Sequence, residues 1–302
     1  RDGSSPWSAP NPLYIISKGT VNGVSRTVKI AAKGFTVNAN YALFGESGDT
    51  INGSSATIDG DIGVNSWLNF NGQPTVHGTI NFNGPSSGWL TSPTGTYTIN
   101  VNASAVIWPS VDSLANTAFP SGGLSWLASH NDNLLSSPSI AGNTITLKGN
   151  ATLTLKGKSG GANYYLTDVS CSGSSVITFD NSTGPITVWF GPSGGSGSFV
   201  FSGGSAHIKM SEDPTKPVRI YAATNSDLTF NGNVELDAAI YNFNSTSSGR
   251  VVINGTPDLY GSVISHHFTF NGGAHIIYQQ GMLSGGGSIY YGYDSLWQEI
   301  NP

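Results

Sequence analysis

Apolar and polar residues alternate in short runs along most of the chain, and this pattern predicts a succession of short β-strands. Typical runs are NTITLKG, ATLTLKG, SVITFDN and PITVWFG, each rich in β-branched or aromatic residues and closed by a turn-forming residue. Residues 13–34 alternate in the same way around the turn signal VNG, which predicts a β-hairpin. The pattern therefore indicates an all-β chain.

One segment has a helical period instead. Counted from Val111, apolar residues fall at i, i+3, i+4, i+7 and i+8, and Pro109 with Ser110 provides a helix start signal. We predict one short helix near 110–119, inside a helix and loop insertion at about 106–138.

An internal repeat has the form apolar-N-G-x-x-x-[VIL]-x-[GA]-x-[IV]. Copies begin at Phe230 and Ile253, an offset of 23 residues, and a third copy begins at Phe70. A degenerate copy begins at Phe270. Repeats of this length are typical of solenoids, in which each coil buries its inner face by stacking on its neighbours.

The repeat has a physical interpretation as one coil of a right-handed β-solenoid (β-helix). Asn-Gly makes a tight corner because both residues tolerate positive φ, and the apolar residues alternate inward. The aromatic residues of NFNG, TFNG and VWFG are predicted to stack inside the coils. We assign residues 1–40 to an N-terminal hairpin region and residues 41–302 to the solenoid domain. A β-sandwich with similar turns is the alternative.

The stretch IDGDIG contains Asp59 and Asp61, the candidate metal ligands of this chain. In the repeat, Asp59 occupies the position held by His77 and Tyr260, so we predict an outward-facing wall residue. Two carboxylates on one outer face could contribute to a calcium site, although calcium takes about six or more oxygen ligands. Both interpretations, wall element and calcium site, stay open.

Other candidate site residues are few. Glu235 and Asp237 repeat the outward i, i+2 arrangement. His266 and His267 are adjacent in a predicted strand and therefore point to opposite faces, which argues against a metal pair. The aromatic run YYGYDSLW at residues 290–297 is either a sugar-stacking platform or a cap on the core.

Composition narrows the class of protein. Charged residues make up 10% of the chain, the formal net charge is −5, and Gly, Ser, Thr and Asn are abundant, which is typical of a secreted, β-rich surface protein. The single cysteine, Cys171, excludes an intramolecular disulfide and is predicted to be a small buried residue. No apolar stretch is long enough for a membrane span. The opening RDGSSPWSAP reads as the interior of a longer protein.

The chain resembles the extracellular part of PilX-like pilus-assembly proteins, the large minor-pilin relatives of type IV pilus systems. The stretches that carry the resemblance span nearly the whole chain. They are SKGTVNGVSRTVKI, YALFGESGDTINGSSATIDGDIG, ITLKGNATLTLKGKSGGANYYLTDV, PITVWFGPSGG, KPVRIYAATNSDLTFNGNVELDAAIYNFN, PDLYGSVISHHFTFNGGAHIIYQ and LWQE.

The resemblance implies a hydrophobic N-terminal helix outside this sequence. This helix would be the only part of the protein that contacts the membrane. It implies an extracellular location on the pilus, other pilin subunits as partners, and no agreed catalytic residues. It also implies a hairpin belonging to a pilin-like part and a solenoid presented at the fibre tip or surface. Apart from the calcium alternative that the carboxylates of Asp59 and Asp61 leave open, we expect no cofactor.

We therefore interpret the chain as a non-catalytic pilus-associated module, acting in adhesion or at the pilus tip, with glycans or a host or surface protein as further partners. A self-assembling fibre subunit and a β-helix polysaccharide lyase or hydrolase are the alternatives. Nucleic acid is disfavoured by the net charge of −5. A local basic patch for DNA would have to come from Lys148, Lys156, Lys158, Lys209, Lys216 and Arg219.

Overall fold

The structure is a computed structural model of the chain. It describes residues 13–21, 24–35, 41–46, 48–82, 93–101, 106, 108–192, 195–202, 207–210, 216–244, 248–278, 290–293 and 298–300. The chain forms two compact units, residues 1–37 with 286–302 and residues 38–285.

In chain order, the strands are β1 (Leu13–Val21), β2 (Val24–Phe35), β3 (Leu43–Gly45), β4 (Asp49–Asn52), β5 (Thr57–Asp59), β6 (Ile62–Val64), β7 (Leu68–Asn71), β8 (Thr75–Phe82), β9 (Tyr97–Val101), β10 (Thr144–Leu147), β11 (Thr152–Lys156), β12 (Ala162–Leu166), β13 (Asp168–Ser172), β14 (Val176–Asp180), β15 (Ile186–Phe190), β16 (Phe199–Ser202), β17 (His207–Met210), β18 (Val218–Ala222), β19 (Leu228–Gly232), β20 (Glu235–Asn242), β21 (Arg250–Gly255), β22 (Asp258–Ser265), β23 (His267–Gly272), β24 (His275–Tyr278), β25 (Tyr290–Tyr293) and β26 (Gln298–Ile300). The helices are α1 (Val111–Ala118) and α2 (Gly123–Leu127), followed by a 3-10 turn at Asn133–Leu135.

The smaller unit is an antiparallel sheet. β1 and β2 pair from Leu13 opposite Ala32 to Val21 opposite Val24, which confirms the hairpin predicted for residues 13–34. β25 and β26 also pair with β2. The boundary predicted at residue 40 assigns these last strands to the solenoid domain, whereas in the structure they pair with the hairpin. No short-range pattern indicates such a long-range pairing.

The larger unit is a parallel β-solenoid with three faces. The ladder face contains, in spatial order, β10, β13, β16, β19, β21, β23, β4 and β7. The histidine face contains β11, β14, β17, β20, β22, β24, β5 and β8. The covered face contains β12, β15, β18, the C-terminal halves of β20 and β22, β3, β6, the C-terminal half of β8, and β9. Parallel pairing throughout confirms the predicted all-β solenoid over the sandwich.

The coils do not stack in chain order. β4 follows β23 on the ladder face, with Thr269 opposite Thr50. β3 follows β22 on the covered face, with Val263 opposite Leu43. The N-terminal coils therefore stack on the C-terminal coils. Between the two blocks, the chain runs through α1 and α2 to the far end of the stack, where β10 begins the next coils.

The core is built from columns of inward side chains, one from each coil. One column contains Phe230, Ile253, Phe270, Ile51 and Phe70, which are adjacent in register and almost fully buried. Burying each such side chain contributes roughly 1.5–3 kcal/mol. The four apolar positions that open the copies of the repeat, at Phe70, Phe230, Ile253 and Phe270, all lie in this column, so the repeat marks equivalent positions in the coils.

The Asn-Gly corners have the predicted backbone conformation. Gly232 and Gly255 have φ of 88° and 104°, values that favour glycine. A Cβ atom on Gly255 would lie 2.6 Å from the carbonyl oxygen of Gly232 in the next coil. Glycine is thus needed at this corner both for its backbone angle and for the close approach between coils.

The predicted helix is present as α1. Its N-cap is Ser110, whose hydroxyl accepts a hydrogen bond from the Ser113 N–H at 3.2 Å, and its buried residues include Val111 and Leu114. α2 follows in a segment that the sequence indicated to be a polar loop. None of the described helices is long and apolar enough to cross a membrane.

The outer side of the covered face is lined with aromatic rings. Trp189 stacks on Tyr221, with ring centroids 4.8 Å apart, and lies 5.5 Å from the ring of Phe119. The prediction that all VWFG aromatics point into the coil is therefore wrong for Trp189, although Phe190 does belong to the inner core. Trp189 is buried because the helical segment covers this side of the wall.

The two ends of the stack differ. Beside β10, the buried amide of Asn133 donates to the carbonyl oxygens of Gly142 and Tyr165 and accepts from the Tyr165 N–H, which fixes a loop over the first coil. At the opposite end, Ile99 and Val101 of β9 are 44% and 41% exposed. Their partners in β8 are fully buried, so β9 ends the described stack with core-type residues in contact with solvent.

Candidate functional site

A row of asparagines runs along the ladder face, one from each of five successive coils. In spatial order the row is Asn231, Asn254, Asn271, Asn52 and Asn71. Each Nδ2 donates to Oδ1 of the preceding asparagine, over 2.5–2.7 Å. Asn231 continues the chain to the Ser202 hydroxyl at 3.0 Å. The side chains therefore form one hydrogen-bonded ladder with a single direction.

The ladder leaves part of each amide for a ligand. A carboxamide has two N–H donors and an oxygen that accepts two hydrogen bonds, and the ladder uses one donor and one acceptor site of each inner residue. The side chains are half-buried or exposed. Equivalent donors and acceptors thus repeat at the strand spacing of about 4.8 Å.

A second row runs parallel to the asparagines, two residues earlier in each strand. In spatial order it contains Thr146, Ser170, Val200, Thr229, Val252, Thr269, Thr50 and Asn69. The rows lie about 6.7 Å apart along the strands, and eight strands span about 34 Å. Together they form a long surface of hydroxyl, methyl and amide groups.

Neither of these rows contains a charged side chain. At the margin of the face, Arg250 pairs with Asp227, with Nη2 and Oδ2 2.6 Å apart and Nε and Oδ1 3.1 Å apart. This pair is half-exposed and electrically neutral as a unit. The ladder face is therefore suited to neutral, hydrogen-bonding ligands rather than to polyanions.

Asp59 lies on the histidine face with its side chain 38% exposed, as the repeat predicted. Its two carboxylate oxygens meet His77 Nδ1 at 2.6 Å and His275 Nε2 at 3.0 Å. Hydrogen bonds from these two histidines lower the pKa of the Asp59 carboxyl. Both oxygens are thus already engaged by side chains of neighbouring coils.

Asp61 lies at the corner that follows Asp59, and its Oδ1 accepts a hydrogen bond from the Thr79 N–H at 2.7 Å. Among the described residues, no group of three or more His, Cys, Asp or Glu side chains is arranged to hold a metal ion. The calcium site at Asp59 and Asp61 stays a prediction, and any ion there would have to compete with the two histidines.

The prediction that His266 and His267 lie in one strand is wrong, because His266 occupies the bend between β22 and β23 and His267 begins β23. His266 is 5% exposed, its Nδ1 contacts Glu46 Oε2, and its Nε2 lies 2.9 Å from the Asn244 carbonyl oxygen. His267 is half-exposed. Cys171 is buried in the core, as predicted, and this burial raises the pKa of its thiol to about 12.

A family model matches part of the solenoid. It is described as a domain of unknown function (DUF7305) and matches residues 194–283, which contain strands β16 to β24. No curated protein matches the chain.

Several solved structures are similar to the chain at low identity. An ice-binding protein DUF3494 domain of Shewanella frigidimarina is 14% identical, with 80% of this chain and 95% of that chain covered and a TM-score of 0.38. A glycosylated ice-binding protein (LeIBP) from Arctic yeast is 16% identical, with coverages of 80% and 91% and a TM-score of 0.39. The competence-associated pilin ComZ from Thermus thermophilus is 14% identical, with coverages of 95% and 80% and a TM-score of 0.42. At these values none of them transfers a function.

Two features of the wall differ from what the sequence predicts. The Asn-Gly pairs of the repeat predict tight corners, and the hydrogen-bonded ladder was not predicted from them. The signal for the ladder was that each pair places one asparagine at the same position of its coil.

Asp49 was not among the predicted site residues. It is fully buried in a core column between Phe268 and Leu68, and its Oδ1 accepts the Phe268 N–H at 2.8 Å. Burial raises its pKa well above the usual range. The available signal was its spacing: Asp49 and Ile51 are two residues apart in the same strand, so their side chains point to the same, inner side.

The basic patch stays a prediction, since Lys156 is in register with Asp180 and Lys216 Nζ donates to the carbonyl oxygen of nearby Ser182 at 2.7 Å. Arg219 is 8% exposed on the covered face, and Lys158 pairs with Asp132 at 2.6 Å. Lys156 ends a strand of the histidine face. The YYGYDSLW run lies outside the side chains that the structure describes.

Proposed function

We propose that this protein is a non-catalytic, surface-associated binding module and that its ladder face binds a neutral glycan. The observation that carries the proposal is the pair of uncharged rows on the ladder face: five hydrogen-bonded asparagines over about 19 Å, and a parallel row of Thr, Ser, Val and Asn over about 34 Å. A chain of sugar rings offers hydroxyl groups along its length, and each of them can donate and accept. Many weak contacts of this kind add up along a regular surface.

The amide ladder prepares this surface for binding. Because each asparagine is held by its neighbours, little side-chain entropy remains to be lost when a ligand binds. The remaining donors and acceptors also share one orientation along the row, so the ladder is complementary to a polymer that itself repeats.

The cellular setting we propose is the bacterial pilus. It is supported by the resemblance of the sequence to the extracellular part of minor-pilin relatives, with other pilin subunits as partners of the whole protein. Adhesion, or a role at the pilus tip, follows from a binding face carried on such a fibre. An extracellular location agrees with the low content of charged residues.

A screen on neutral and acidic oligosaccharide arrays tests the proposal. We expect binding to neutral glycans, little change with added salt, and no release of reducing ends or unsaturated products from the same polymers. Binding to acidic glycans only, or release of products, would contradict it.

A second candidate is end-to-end association into a fibre, which the exposed Ile99 and Val101 of β9 favour. Edge strands that expose apolar core positions pair readily with other strands. Analytical ultracentrifugation of the wild type and of Ile99→Lys tests this candidate. Concentration-dependent assembly that the substitution abolishes would support it, and a monomer at all concentrations would contradict it.

A further inference from the structure

Trp67 is an exposed aromatic residue on the margin of the ladder face. It directly precedes β7, in the last full coil of the stack, and 37% of its surface is exposed. Among the large apolar side chains that the structure describes as exposed, the others are aliphatic: Ile99, Val101, Leu134 and Leu135. Trp67 is therefore the one aromatic residue in this group of exposed apolar side chains, and it lies beside the candidate binding surface.

The indole rests on a glycine. A Cβ atom built on Gly48 would lie 3.4 Å from Cζ2 of Trp67 and 3.7 Å from Nδ1 of His267. The indole therefore lies over the position from which a Gly48 side chain would project. Gly48 also has a φ of 72°, which disfavours any other residue there. One side of the ring is supported in this way, and the exposed part of the ring is left to a ligand.

The polar neighbours of this ring are the last members of the two rows. Asn69 and Asn71 lie two and four residues after Trp67, and Thr50 and Asn52 take the equivalent positions in the adjacent coil. Outward side chains two residues apart are separated by about 6.7 Å. A ring bound on the indole would thus have amide and hydroxyl groups within reach of its rim.

We propose that Trp67 is the stacking anchor of a saccharide subsite and that it takes the C–H face of a neutral pyranose ring. The indole face attracts the weakly positive C–H groups of the sugar, and the hydroxyls at the rim of the sugar meet Asn69 and Thr50. On the same margin, half-exposed His267 lies beside Gly48. About three strand spacings from Trp67, the charges of Arg250 and Asp227 are paired with each other, so no unpaired cation among these residues favours an acidic sugar. The inference rests on the proposed function and gives it a specific anchor at one end of the ladder.

Tryptophan fluorescence titration with cellohexaose and chitohexaose tests the subsite, with Trp67→Phe as the spectral reference for the other tryptophans. We expect a saturable change in the wild-type emission that Trp67→Phe lacks. In calorimetric titrations, Trp67→Ala and Trp67→Leu are expected to bind about tenfold more weakly, and Trp67→Phe within about threefold of the wild type. Leu134→Ala, an exposed apolar residue outside the face, is the matched control and keeps wild-type affinity.

The outcomes separate the two proposals. If hexasaccharides bind but Trp67→Ala and Trp67→Leu retain full affinity, the stacking anchor is wrong and the ladder face stands as the binding surface. Weakening by Trp67→Ala with full affinity in Trp67→Leu would also overturn stacking, because bulk rather than an aromatic ring would then suffice. If neither hexasaccharide binds the wild type, both the anchor and the glycan-binding function fall.

Discussion

Asn52 donates its Nδ2 hydrogen to Oδ1 of Asn271 at 2.7 Å, although the two residues are 219 positions apart in the chain. This bond crosses the junction between the N-terminal and the C-terminal coils. Asp59 and His275 meet across the same junction on another face. The ladder therefore continues without interruption across the contact between β4, near the start of the chain, and β23, near its end.

Asn271 makes two ladder bonds, one to each neighbouring coil, and Asn271→Ala removes both. We expect a loss of about 1–2 kcal/mol in the free energy of unfolding. Urea denaturation measures it. The control is Asn100→Ala in β9, which removes a single exposed bond at the end of the stack and is expected to cost less than about 0.5 kcal/mol. Equal costs for the two variants would show that the ladder does not hold the junction.

Asp49 makes the stability of the solenoid depend on pH. Because its pKa is raised in the folded state, folding binds a proton that the unfolded chain releases above about pH 4, and stability falls as pH rises through this window. Asp49→Asn keeps the acceptor for the Phe268 N–H and has no charge. We expect the variant to be more stable than the wild type by about 1–3 kcal/mol at pH 7.

The gain from Asp49→Asn should vanish near pH 4, where the wild-type carboxyl is also neutral. Thermal unfolding of both proteins between pH 4 and pH 8 measures the difference. A gain that is equal at all pH values would mean that packing, not ionisation, limits stability at this position.

Gly255 is expected to be indispensable at its corner. Gly255→Ala combines an unfavourable positive φ with a Cβ atom 2.6 Å from the Gly232 carbonyl oxygen, and we expect it to cost at least about 2 kcal/mol. Gly149→Ala is the matched control, since Gly149 has a φ of 64° and open space around its Cβ position. It should cost about 1 kcal/mol, the price of the backbone angle alone. Equal losses in the urea denaturation of both variants would rule out a role for the close contact between coils.

Much of the fold could be predicted from the sequence because the repeat is local. The Asn-Gly corner and the inward parity of Phe230 and Ile253 lie within one coil, so strand type, solenoid class and the outward position of Asp59 followed from them. The helix at α1 was predictable for the same reason, since its period and its Ser110 cap lie within one segment.

The stacking order could not be predicted in this way. Phe70 and Phe270 are both separated from Ile51 by one strand spacing, but only the second contact crosses the chain junction, and identical repeats do not show which coil meets which. Trp189 was misplaced because its burial comes from a separate helical segment. The asparagine ladder was not predicted because a hydrogen-bonded row emerges only once coils from distant parts of the chain are in register.

The most direct test of the account compares lysine substitutions on two faces of the same solenoid, by co-sedimentation with microcrystalline cellulose and chitin. Thr50→Lys with Thr229→Lys changes the ladder face, and Thr57→Lys with Thr178→Lys makes the same change at half-exposed threonines of the histidine face. We predict that the first pair reduces binding at least about tenfold, while the second pair binds like the wild type. Equal binding by the two double variants would contradict the assignment of the ladder face as the binding surface.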